Sequence, residues 1–387
     1  VSFAARHNGS RGASTGARRS AAVVATWLFV AVGGAADSRA QFLDSVVVKG
    51  LQDLEVYKTD AASPLLSRNE GDTAGFGRLQ LFAGAEFVPG FQGVVVYEVH
   101  GGRADEEEDI QAGIEQAFLR YIAPGAIHVM VDAGRIVVPI GNFSKRYQSN
   151  VNPLIGPPTS YDISYPEGIL VAGKVALFDY RIAVINRPLA NGDWVPEADA
   201  AYRPAVELGI TPTTGLRIGG YFTQGPYLGR DVAPMIPAGE SWRNFDQRVA
   251  GIDLEFCRGY FELQGDLAFS TYDAPTRTAI ARGKAWFLEP KYTWTPRFFT
   301  ALRVERNDYP YIEAVDSTFW IDQNAAFYSV EAGVGWRFLP ELLLKLSYSR
   351  DYWTVDESAK SFFVNGYSVA MQLSYGFDVR SWFEPKK

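Results

Sequence analysis

The residues of this chain most able to act on a solute are charged side chains alternating with apolar ones at a spacing of two. Glu255 follows Leu254, Glu262 precedes Leu263, Asp266 precedes Leu267, Arg303 follows Leu302, Glu305 follows Val304 and Lys345 follows Leu344. Successive side chains of a strand point to opposite faces, so each such segment has one charged side and one oily side. A row of fixed charges makes and breaks no bonds. It sets a local field that holds water and sorts ions. Parity gives this row the basic residues Arg78, Lys174, Arg181, Arg217, Lys291, Arg303, Arg337 and Lys345. It gives it the acids Glu86, Glu98, Asp132, Glu207, Asp253, Glu255, Glu262, Asp266, Glu289, Glu305 and Glu331. Eight bases against eleven acids is a mixed lining with an acidic lean. The field expected is unselective or mildly cation-favouring. Plain solvation by paired charges is the simpler reading of the same pattern.

Bond-making chemistry has thinner support. Beyond residue 40 the histidines are His100 and His128. His100 and Glu98 could form an acid–base pair, but both lie on one segment, and catalysis needs groups converging from several. There is no zinc spacing, phosphate loop or nucleophile elbow, so neither an enzyme nor a cofactor is expected. Ala104–Asp109 is an acidic run (ADEEED) that could hold divalent ions bridging lipopolysaccharide. It lacks the Gly and ligand order of a calcium loop, and a solvated loop is the better reading of it. Cys257 is the one cysteine, so no internal disulfide forms.

Alternating segments of about ten residues must position the charges. From Leu216 to Phe222 the residues Leu216, Ile218 and Phe222 share one parity and Arg217 the other. Short turn signals recur at Val88–Gly90, Ala123–Ala126, Leu177–Asp179, Thr211–Gly215, Cys257–Gly259, Thr295–Arg297 and Leu339–Glu341. Five hold a proline, which pre-sets a turn and breaks a central strand. Longer polar stretches separate these hairpins. The layout predicts about sixteen strands, the first near Val46–Tyr57, with both chain ends on the short-turn side. Aromatics flank the short turns, among them Phe87, Phe91, Tyr121, Phe178, Trp294 and Trp336, as rings do at a membrane interface. The last segment alternates through Tyr367, Val369, Met371, Leu373, Tyr375 and Phe377.

The 387 residues carry a net charge of −7. Residues 1–40 read as an export signal: Arg18-Arg19, then the apolar Ala21–Ala36, then small residues ending at Ala40. They hold five bases and one acid, which leaves about −11 for residues 41–387 and argues against a nucleic-acid partner. No later run reaches the roughly eighteen apolar residues of a spanning helix. A membrane protein without such a helix must pair its backbone between strands, in a closed barrel. The fold class expected is therefore an all-β, transmembrane antiparallel barrel over residues 41–387.

The third long stretch, residues 139–166, holds Lys145 and Arg146 and is stiffened by Pro153, Pro157, Pro158 and Pro166. Gly141 and Gly156 allow it to reverse sharply. It is expected to fold into the lumen and narrow it, with Lys145 and Arg146 able to form a local basic constriction. The series AGRIVVPIG, NPLIG and YPEGILVAGKVALFDYRIAVINRP, within Ile127–Pro188, resembles the central part of Gram-negative outer-membrane porins. It is nearest to the phosphate-selective porin O and P group. The resemblance implies a sixteen-stranded passive channel, often a homotrimer, with an inward-folded third loop. It places the chain in the outer membrane among lipid and lipopolysaccharide, passing small hydrophilic solutes or ions. Phosphate selectivity does not carry over, because the lining leans acidic. A barrel-borne enzyme or adhesin acting through its external loops is the alternative, and a soluble periplasmic β-protein a more distant one.

Overall fold

Alternation over a dozen residues, broken by Pro and Gly, yields strands with one face for oil and one for water. The computed structural model describes residues 46–60, 73–102, 110–125, 128–158, 163–188, 201–228, 236–273, 275, 280–309, 325–355 and 365–379. The segment read as an export signal and the acidic run lie outside the described residues. So does part of the third loop, residues 159–162.

The strands are β1 (Val47–Thr59), β2 (Thr73–Val88), β3 (Phe91–Gly102), β4 (Gln111–Ile122), β5 (His128–Arg135), β6 (Glu167–Val175), β7 (Phe178–Ile185) and β8 (Arg203–Thr213). They continue as β9 (Leu216–Pro226), β10 (Asp246–Arg258), β11 (Phe261–Tyr272), β12 (Ala281–Thr295), β13 (Phe298–Tyr309), β14 (Ala325–Leu339), β15 (Leu342–Val355) and β16 (Gly366–Asp378). Each pairs antiparallel with its chain neighbours, and β1 pairs with β16, Asp53 opposite Ser374. The sheet is a closed sixteen-stranded barrel without an edge, which is what hydrocarbon requires of a β-structure. Seven short reversals join the even-numbered strands to the odd ones that follow.

The oily parity faces out. Leu54, Leu208, Ile252 and Phe269 are each more than half exposed, against 0% for Asp53 and Glu207 on the other parity. Rings gather beside the short turns: Phe91 lies 4.6 Å from Tyr121, Tyr292 4.6 Å from Trp294, and Phe298 5.8 Å from Trp336. The outward face of Ile252 (58% exposed) should therefore reject charge. Ile252→Arg is expected to cost about 2–4 kcal/mol of folding into vesicles, the penalty of an arginine at mid-bilayer. An unchanged urea midpoint would contradict this orientation.

Two local departures from the alternating pattern matter for the site. The β6–β7 reversal comes earlier than its sequence signal: Ala176 takes the left-handed conformation (φ 53°), and Asp179, expected in the turn, lies in β7 opposite Gly209. In β4 the register slips, with Val96 opposite Gln116 and Tyr97 opposite Ile114, so Glu115 is an extra, unpaired residue. A bulge of this kind puts two consecutive side chains on one face.

Candidate functional site

Inside the barrel lie the described parts of the third loop, residues 136–158 after β5 and 163–166 before β6. Its two limbs are zipped by Ile136 N–H to Pro166 O and Val138 N–H to Ser164 O, both 2.9 Å. Ile136, Val138 and Ile140 pack against Leu170, Ala183, Ile185, Ala205, Tyr221 and Val249 on the inner faces of β6–β10. That dry seat departs from a uniformly polar lining. Its signal in the sequence is an apolar run on both parities, as in Ile169–Ala172 and Ile182–Ile185. Strands covered on both faces read this way.

Beyond the seat the loop crosses to the far wall. Asn142 donates to the carbonyls of Leu254 and Gly265, at 3.0 and 3.1 Å. A single 3-10 turn, Phe143–Lys145, sets Phe143 edge-on to Phe287 at 6.4 Å. Arg146 pairs with Glu289 of β12, while Tyr147, the next residue, accepts from Gln116 of β4 at 2.9 Å. Adjacent loop residues thus reach two well-separated parts of the wall. Ser149 donates to Asp53 of β1 at 2.5 Å, and Arg337 donates to the carbonyl of Asn150 at 3.0 Å. Lys345 donates to the carbonyls of Asn152 and Leu154 at 3.1 and 2.8 Å. Arg303 reaches the carbonyl of Gly156 at 3.3 Å. Gly141 and Gly156 both take positive φ (77° and 81°). Burial holds the phenols of Tyr147 and Tyr165 above their ordinary range, so both stay neutral.

The charges fall into two environments. Around Glu289 they are sealed. Arg303 lies 2.7 Å from Glu289 and 3.2 Å from Glu331, and Arg146 closes on Glu289 from the loop. Arg303 and Lys345 are each 1% exposed, and Glu305, Asp266 and Arg146 are buried as well. Asp266 accepts from Tyr221 at 2.6 Å. Buried ions of this kind must be paired and hydrogen-bonded, and here the partners come largely from the loop.

Around Arg217 the charges are layered: Glu207 and Asp253 are buried, while Asp179, Glu255, Arg181 and Lys145 meet solvent. The Arg217 guanidinium lies 2.7 Å from both Asp179 and Glu207, pairs with Asp253, and stands 3.5 Å from Glu255. Lys145, 28% exposed, lies 2.8 Å from Glu255 and 3.6 Å from Glu207. Arg181 lies 3.7 Å from Glu207 and donates to the carbonyl of Pro139 at 3.4 Å. Three bases thus face four acids. Lys174 sits near the short-turn end opposite Asp179 and His128. Glu262 and Lys291 form a half-exposed pair at 2.8 Å. On the β1–β4 side Arg78 lies 2.6 Å from Asp53. Near it Gln80 bridges Glu98 and Glu115 at 2.8 and 3.0 Å, and His100 meets Glu98 at 2.7 Å.

Lys145 and Arg146 are thus each met by a carboxylate. Parity reasoning missed Asp53, Asp179 and Glu115. Asp53 lies on the most weakly patterned strand, Asp179 in a turn signal, and Glu115 in a bulge that leaves no mark on alternation. It also missed the carbonyls of Asn150, Asn152, Leu154 and Gly156, which are backbone groups and carry no residue signature.

No family model matches the chain, and no curated protein matches it in sequence. Solved structures do. Salmonella typhi OmpF in complex with daunomycin aligns over 87% of this chain and 99% of its own, with a TM-score of 0.58 at 12% identity. An anion-selective porin from Comamonas acidovorans aligns over 86% and 99%, with a TM-score of 0.58 at 13% identity. OmpT, an outer membrane protein of Vibrio cholerae, aligns over 86% and 97%, with a TM-score of 0.53 at 10% identity. At such identities the likeness is one of fold.

Proposed function

We propose that this chain is an outer-membrane porin through which small hydrophilic solutes or ions diffuse, consuming nothing. The observation that carries this is the cluster of Lys145, Arg181 and Arg217 with Asp179, Glu207, Asp253 and Glu255 inside a closed barrel, which solvent reaches at Lys145, Arg181, Asp179 and Glu255. Such a lining replaces bulk water for a passing ion, whereas the outward face is mostly apolar. The third loop narrows the path. Arg146, Arg303 and Lys345 anchor it, and Lys145, Arg181 and Arg217 face the permeant. The two porins among the similar folds support this reading. Export through a signal cut after Ala40, an outer-membrane location with long loops outside, and a homotrimer belong to the same proposal. We also read the motifs within Ile127–Pro188 as a resemblance to the porin O and P group, with weak selectivity in place of phosphate preference.

Planar-bilayer recording tests it. Purified protein is expected to give stepwise, ohmic openings. Bilayers that stay closed at micromolar folded protein would reject a channel and favour an enzyme or adhesin. With the acids in excess, a salt gradient should give a reversal potential of weak cation preference. Arg217→Glu removes the central cation and adds a fifth carboxylate. It is expected to raise the cation-to-anion permeability ratio about threefold or more. An unchanged ratio would remove Arg217 from the path.

A further inference from the structure

Three arginines are buried among the described residues: Arg146, Arg203 and Arg303. Arg146 and Arg303 share Glu289. Arg203, the first residue of β8, is 1% exposed, and no carboxylate of the described residues lies within salt-bridge reach of it. Its side chain crosses β9 at Gly225, where a Cβ would stand 2.7 Å from that of Arg203. Nε donates to Thr223 Oγ1, and Nη2 donates to the carbonyl of Gln247 on β10, both at 3.0 Å. These two bonds pin the plane of a group that has five N–H donors. Nη1 is buried and meets no hydrogen-bond acceptor.

The acid whose charge reaches Arg203 is Asp246. It precedes the inward Gln247 (0% exposed), so it stands on the outward parity of β10, where it accepts from Gln224 at 3.1 Å. On the inward side Gln247 donates to the Tyr272 hydroxyl at 3.3 Å. Tyr272 packs in an apolar cluster with Tyr227, Leu228, Trp242, Phe245 and Ala281, which holds the loop between β9 and β10 against the wall. Ala201, two residues before Arg203, packs on the same cluster. A guanidinium cannot shed its proton, and one buried without a counter-charge strongly destabilises a fold. An anion taken up from solution supplies the charge that the chain does not.

We propose that Arg203 binds a halide ion, chloride in ordinary media, at the wall beside the β9–β10 loop. Nη1 and the second N–H of Nη2 form one edge with two parallel donors. A monovalent, monatomic anion matches the single positive charge and accepts from any direction. A phosphate group would bring ~1.5–2 negative charges and three oxygens that need donors of their own. The ion acts as a fixed counter-charge: the closed loop holds it, and it helps to hold the loop closed. This role belongs to the wall and does not depend on whether the barrel conducts.

The test compares full-length, detergent-folded protein in sodium chloride and in sodium gluconate, both at ~0.15 M so that general screening is equal. Trypsin cleavage after Arg243 reads the loop. Arg243 is exposed but Trp242 beside it is buried, so the cut requires local opening. Cutting is expected to be about tenfold slower or more in chloride, because a ligand of the closed form depletes the open one. R203Q should cut at rates within about twofold of each other in the two salts. Crystals of the wild type grown in sodium bromide read the site without a variant. Their anomalous map should show a peak within hydrogen-bond reach of Nη1. Water alone on that edge, with no bromide peak, overturns the proposal. So do equal cutting rates of the wild type in the two salts, and so does a chloride effect that persists in R203Q. Stepwise conductance without a bromide peak would sink this site alone. A bromide peak in a protein that never conducts would sink the channel and leave this site standing.

Discussion

Replacing Asn142–Gly156 with a four-residue Gly/Ser link is expected to raise single-channel conductance on the order of threefold or more, because ohmic flow scales with open cross-section. This segment holds Phe143, Arg146, Tyr147, Ser149 and Leu154, which fill the centre of the barrel and meet β1, β4 and β10–β15. The barrel should survive the change. Its strand ladder is closed independently of the loop, and the apolar seat of Ile136, Val138 and Ile140 remains. Arg303 and Lys345 lose loop carbonyls but gain water, a fair exchange for a charged group. Conductance and a heat-modifiable folded band in gels are read together. A folded variant with wild-type conductance would show that the loop does not limit flow.

Glu289→Ala should be the most damaging single change inside the barrel. Glu289 is the carboxylate shared by Arg146 of the loop and Arg303 of β13, in a region where Arg303 is 1% exposed. Removing it leaves two guanidinium groups buried side by side, with Glu331 as the remaining salt-bridge acid for Arg303. Breaking a buried pair costs about 3–5 kcal/mol, because the orphaned charge stays desolvated. Thermal unfolding should shift down, and protease should cut the loop faster. Glu262→Ala sets the scale: it breaks an ion pair of similar length with Lys291 that water already reaches, and should cost no more than ~1 kcal/mol. Equal effects of the two substitutions would mean that water reaches Glu289 freely.

The contrast between these two acids shows where alternation stops being informative. By parity Glu262 and Glu289 are alike, each an inward acid on a strand, and parity has no access to what covers them. One meets water and the other meets the loop. Lys345 and Lys174 differ in the same way: the first is sealed beneath loop carbonyls, the second lies near the short-turn mouth. Asp179 and Glu115 show a second failure. An early reversal at Ala176 brings Asp179 into β7 on the parity of Arg181, a bulge in β4 re-aims Glu115, and neither disturbs the run of residue types around it.

Residue order alone dictated the number of strands, their pairing with neighbours, the outward turn of the oily parity and the inward turn of most charges. These follow from a period of two and from turn residues, which are properties of a few consecutive positions. The division of the inward charges into anchors and solvent-facing groups came from the folded molecule. It depends on where residues 136–158 lie against strands as much as 193 positions away, and on carbonyl groups that every residue has. Contacts of that range arise only once the barrel has closed around the loop, so no local pattern encodes them.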